Sequence, residues 1–154
     1  MSKKRKFRNR SFSMLEPDLI ESEAIQGLSG KAMLVLIRFH QKAHRKKTKR
    51  QGIRWTMITN NGQIQFPYAE ARELGIKSDA TFYKIIRQLV EERGLVDITE
   101  PGNWYLKQPT KYAISERWKR YGTPDYKGVK IPRILPPGLG LQREHQGRPQ
   151  QKSL

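Results

Sequence analysis

The feature that most restricts this chain is the stretch 67–94, where two short apolar helices are expected on either side of a tight glycine turn. Pro67 suits a first helical turn, where its missing N–H is no loss, and Gly75 stops the helix that begins there at about residue 74. Ile76 and Lys77 lead to Ser78, whose short hydroxyl side chain is a good N-cap for the next helix. Phe82, Ile85, Ile86, Leu89 and Val90 then recur at spacings of three and four, predicting a helix to about Arg93 with one apolar stripe against a core. Tyr83, Lys84, Arg87, Gln88 and Glu91 face away from that stripe.

Other elements follow from the same local signals. LSGKAMLVLIRFHQKAH reads as a strongly apolar helix starting from an N-cap at Ser29, and the acidic stretch 13–26 precedes it. Residues 42–54 hold seven Lys or Arg and no acid, which predicts a basic loop too polar to pack and terminated by Gly52. Asn61-Gly62 is a turn signal between Trp55-Thr56-Met57-Ile58 and the short strand Ile64-Gln65-Phe66. Leu95-Val96-Asp97-Ile98-Thr99 alternates as a half-buried strand, with Lys111-Tyr112-Ala113-Ile114 as its returning partner and EPGNWYLKQPT as the loop between them. A short helix over 116–121 completes the core. The expected organisation is α+β: a disordered basic arm at 1–12, one domain at 13–123, and a disordered Pro/Gly/Gln-rich basic tail at 124–154.

Composition narrows the partner. With 154 residues the chain has room for one ordinary core, and 31 Lys and Arg against 14 Asp and Glu give a formal charge of +17. That excess points to a polyanion. The basic runs contain almost no large apolar residues, so a membrane surface is the poorer fit and nucleic acid the better one. The longest apolar stretch, 32–37, is far too short to cross a bilayer, and the basic start is followed by polar residues rather than an apolar signal core. A cytoplasmic, nucleoid-associated protein is expected. There is no cysteine, and three histidines alone cannot build a zinc finger, so no metal or cofactor is expected. His40 and His44 lie four apart at a helix end and are read as cations joining the basic patch there. No nucleophile elbow, phosphate-cradling glycine loop or HExxH helix is present, so an enzyme is not expected.

EARELGI at 70–76, then Thr81-Phe82 and LVEERGLVDIT at 89–99, resemble the winged helix-turn-helix superfamily of bacterial regulators and of plasmid and phage replication proteins. The resemblance covers about residues 28–121, with Gly75, Ile76 and Gly94 as fixed points. Two departures are visible: 77–80 is one residue longer than the usual turn, and 91–93 is one residue longer before Gly94. The resemblance implies a three-helix core with a small β-hairpin wing, binding duplex DNA in transcription regulation or replication initiation. It also allows a homodimer. An adaptor or scaffold, with the winged helix binding protein or RNA, is the alternative.

In that superfamily the second helix of the motif enters the major groove, which places Ser78, Asp79, Tyr83, Lys84 and Arg87 toward bases. Lys77, Ser78 and Thr81 at the helix start can instead meet phosphate. Further phosphate contacts are expected from Lys46, Lys47, Lys49, Arg50 and Arg54 in the basic loop, from Lys3, Lys4, Arg5 and Arg8 in the arm, and from Lys107 and Lys111 in the wing. Each has a plain alternative as a solvated charge. Trp104 and Tyr105 either pack against the domain or meet the ligand, whereas Trp55, Trp118, Tyr112 and Tyr121 are expected in the core.

Overall fold

A computed structural model of the chain describes residues 13–133. Its organising element is the helix Gly30–Lys42, which follows the short helix α1 (Pro17–Glu21) and is called α2. The Ser29 hydroxyl caps α2 by accepting from the Ala32 N–H at 3.1 Å. Ala32, Val35, Leu36, Phe39 and His40 repeat at helical spacing and are all buried. Polar residues flanking that stripe tie α2 to the next helix, α3 (Tyr68–Glu73), and the turn after it. Lys31 Nζ donates to the Leu74 carbonyl at 2.8 Å, Arg38 faces Glu73 at 3.9 Å, and Lys42 is paired with Glu70.

The turn after α3 is closed by a Schellman pair, with Ile76 N–H donating to Ala71 O and Gly75 N–H to Arg72 O. Gly75 sits at φ +81°, a left-handed conformation that a side chain would strain, and Ile76 plugs into the core beside it. Helix α4 (Asp79–Arg87) then starts from Ser78, whose Oγ accepts from the Thr81 N–H at 3.1 Å. Phe82, Ile85 and Ile86 are buried as expected, and Leu89 and Val90 continue the stripe.

The expected α-helix to Arg93 is not continuous. After Arg87 the chain makes a π-helical turn, Gln88–Glu92, in which Arg93 N–H donates to Gln88 O. A π turn accommodates one extra residue without breaking the helix. Across this turn Leu89 and Val90 remain buried in the core.

Two separate antiparallel sheets complete this α+β fold. Strands β3 (Ile64–Gln65), β4 (Val96–Glu100) and β5 (Lys111–Ile114) form a sheet in the order β3-β5-β4, with Tyr112 opposite both Ile64 and Ile98. The β4–β5 pairing expected from sequence is present. Phe39 lies at the centre of the core, 4.9 Å from the Phe66 ring and 5.1 Å from Tyr112, with Phe82 5.3 Å beyond Phe66. The final 3-10 turn, Arg117–Arg120, buries Trp118.

The other sheet overturns an expectation. Residues 42–54 are not a loop: β1 (Arg45–Arg50) and β2 (Ile53–Ile58) pair in a two-stranded ribbon running from Arg45↔Ile58 to Arg50↔Ile53. Lysine-rich strands have weak β-propensity and no apolar alternation, so no local signal announced them. The partner expected for 55–58 was the strand at 64–66, and the structure pairs them with β1 and β5 respectively. The Asn61-Gly62 turn therefore links two sheets. Asn61 stitches it down, accepting from Ile114 N–H at 2.7 Å and donating back to Ile114 O at 3.2 Å.

The segment 124–133, expected as the start of a free tail, lies against the π turn. Tyr126 Oη donates to Glu91 O at 3.2 Å, and Ile131 N–H donates to Glu91 Oε1 at 2.8 Å. Beside it Arg117 Nε donates to Asp97 at 2.7 Å and its Nη2 to Val90 O at 2.8 Å.

Candidate nucleic-acid interface

The residues proposed to face bases lie on one exposed surface of α4. Ser78, Asp79, Lys84, Arg87 and Tyr83 are all exposed, with Tyr83 at 50%. Their freedom differs. Ser78 Oγ is 2.8 Å from Thr81 Oγ1 while also capping the helix, so both hydroxyls are engaged locally. Asp79 faces Arg72 at 3.6 Å, and Arg87 Nε donates to Glu91 at 2.9 Å. The Ile131 amide, and then Arg87, holds the Glu91 carboxyl below the usual carboxylate range. Among the described residues Lys77 and Lys84 have no carboxylate partner and are exposed, which leaves their ammonium groups available to a phosphate or a base edge.

The ribbon supplies the second basic surface. Lys46, Lys47 and Lys49 are exposed along β1, close together on one strand of the ribbon. A two-stranded ribbon is marginal by itself. Its base is anchored by Asn60, which accepts from His44 N–H at 2.7 Å and donates to Lys42 O at 2.9 Å.

At that base His40 departs from expectation. It is buried, not part of a cationic patch; burial, reinforced by the Arg45 charge, pushes its pKa down to about 4. The neutral ring places Nδ1 2.9 Å from Arg45 Nη2, and Arg45 also donates to Met14 O at 3.3 Å. Arg45 is thereby tied to the domain at the root of the ribbon, while the lysines beyond it reach solvent.

The third basic region is the β4–β5 loop. Lys107 is exposed at φ +53° at its tip, whereas Lys111 is half-buried and paired with Glu100 at 2.7 Å. Trp104 does not pack into the core: it is 75% exposed and rests on Tyr105 with ring centroids 4.2 Å apart. Tyr112 and Trp118 are buried as expected, and Tyr121 is half-buried. Lys3, Lys4, Arg5 and Arg8 lie outside the described residues, as do the side chains of Arg50, Arg54 and Trp55.

The helix N-terminus and the ribbon root sit at opposite ends of α2. Lys31, in its first turn, holds the turn after α3, while Lys42 and His40 adjoin the ribbon. At 1.5 Å per residue these ends are roughly 16 Å apart. Among the described residues no helix is long and apolar enough to cross a membrane, and no group of three or more His, Asp or Glu is placed to hold a metal.

No protein-family model matches the chain, and no curated protein and no solved structure does.

Proposed function

We propose that this is a non-enzymatic duplex-DNA-binding protein of winged helix-turn-helix type, acting in transcription regulation or in replication initiation of the plasmid and phage kind. The observation that carries the reading is the outer face of α4. It emerges from a Schellman-closed turn, presents Tyr83, Lys84 and Arg87 to solvent, and belongs to a chain of charge +17. The order α2, α3, α4, then the β4–β5 hairpin, supports the assignment of that hairpin as the wing. In this reading α4 lies in the major groove, and the ribbon, the Lys107 tip and the arm neutralise phosphates.

Selection of preferred sites from a random duplex library tests it. The intact protein should enrich a defined sequence, Lys84→Ala or Arg87→Ala should relax that preference at particular positions, and Lys49→Ala should lose affinity while keeping it. If the intact protein enriches no sequence, specific regulation is excluded. If the α4 variants bind every duplex as the intact protein does, that face does not touch DNA.

A further inference from the structure

Between the first turn of α4 and the β4–β5 loop lies a cavity of about 300 Å³. Phe82 and Tyr68 form its helical side, with rings 5.3 Å apart and edge-on, and Trp104 stands at its mouth. Gln65 and Gln108 are among its lining residues, and no charged residue is. The rim is built rather than slack. Asn103 Oδ1 accepts from Tyr105 N–H at 3.0 Å and from Leu106 N–H at 3.3 Å, capping the turn that carries Trp104. A Cβ on Gly102 would come within 2.5 Å of Thr110 N, so the loop closes on itself as tightly as glycine permits.

Three consecutive large side chains at this tip are turned to solvent, Trp104 at 75%, Tyr105 at 40% and Leu106 at 60%, and Trp104 and Leu106 are the most exposed large apolar side chains among the described residues. Exposed apolar groups of this kind beside a pocket mark an interaction site. The lining offers flat aromatic faces together with amides able to donate and accept, the chemistry that recognises an unstacked nucleobase by its face and its edge. Charge agrees: no carboxylate lines the cavity to repel a polyanionic strand, and Lys107 is exposed just beyond Trp104. A protruding apolar residue can also wedge between base steps and displace one base from the stack.

We infer that this cavity is a binding site for a single unpaired nucleobase, stacked on Trp104 and edge-bonded by Gln65 and Gln108, at the margin of the duplex held by α4. The inference rests on the duplex-binding reading for its location, though not for its chemistry. It gives the protein an activity beyond duplex recognition, namely capture of a base where the strands are open.

The test compares affinities of the full chain for a perfect duplex, the same duplex with one unpaired thymine, and an oligothymidylate strand. The intact protein should prefer the probes with unpaired bases. Trp104→Ala should reduce that preference about 5- to 150-fold, the range for losing one aromatic–base stack, with Trp104→Phe in between and circular dichroism unchanged. Equal affinity for perfect and interrupted duplexes, or a preference that survives Trp104→Ala, overturns the site. Binding to the single strand that depends on Trp104, without duplex binding, supports the base site and removes the duplex reading. Binding to no nucleic acid removes both. A peptide of residues 131–141, rich in proline, is the competing occupant: Trp104-dependent binding of that peptide with no Trp104 effect on DNA makes the cavity a peptide groove and overturns the base site.

Discussion

The Arg45 guanidinium lies 2.9 Å from Nδ1 of a buried histidine, His40, and the two together fasten the root of the basic ribbon to the end of α2. The contact needs a neutral ring, since a protonated one offers no acceptor and repels the guanidinium. That makes the fold sensitive to acid.

His40 in the fold titrates at about 4, against 6.5 for an ordinary histidine, because of burial first and Arg45 second. A depressed folded-state value means the unfolded chain binds the proton more readily, so this contribution to stability is complete above about pH 6.5 and lost as pH falls toward 4. The gap corresponds to about 3 kcal/mol. Thermal melts across that window should show a steep acid-side loss that is flattened in His40→Gln. Parallel curves for the two proteins would show that His40 is not held neutral.

Leu89→Ala should destabilise the protein by about 2 to 5 kcal/mol, since Leu89 is fully buried in the π turn and truncation leaves a void. Arg87→Ala, on the exposed side of the same segment, should leave the melting temperature nearly unchanged. Chemical denaturation distinguishes the two, and equal losses would mean that the faces are misassigned.

Asn61→Ala removes both side-chain bonds to the Ile114 backbone and should destabilise by about 1 to 2 kcal/mol. Asn61→Asp keeps the acceptor for Ile114 N–H but sets a carboxylate against Ile114 O, so it should not restore the native value. Full recovery in Asn61→Asp would show that the second bond contributes nothing.

Replacing Lys46, Lys47 and Lys49 together by Gln should lower the steepness of the salt dependence of duplex affinity by roughly two to three, at about 0.9 per phosphate contact. Stability should hold or rise, because like charges on the ribbon are removed. An unchanged slope in filter binding would mean that the ribbon does not meet phosphate.

Glu91 accepts from Arg87 at 2.9 Å and from the Ile131 amide at 2.8 Å, joining the outer face of α4 to the segment 124–133. Glu91→Ala should free Arg87 and raise duplex affinity, and should make 124–133 more susceptible to limited proteolysis. Unaltered proteolysis would show that this segment is held without Glu91.

By itself the sequence determined what local chemistry determines. The caps at Ser29 and Ser78, the stop at Gly75, the stripe from Phe82 to Val90 and the alternating pair β4 and β5 each follow from a side chain acting on its own backbone or from the period of burial. The outward face of α4 was legible for the same reason, because fixing the buried stripe fixes its opposite. Only the tertiary structure decided the rest. Strand pairing is non-local, so Ile64 could be matched to Tyr112 only once α3 and α4 had been folded between them. A ribbon of lysines has no apolar alternation to betray it. His40 carries no local mark of neutrality, since its environment is made by α2 and the root of the ribbon packing around it. The pairing of Lys111 with Glu100 and the projection of Trp104 into solvent likewise depend on how the β4–β5 loop closes over Gly102, a close approach of backbone that periodicity does not encode.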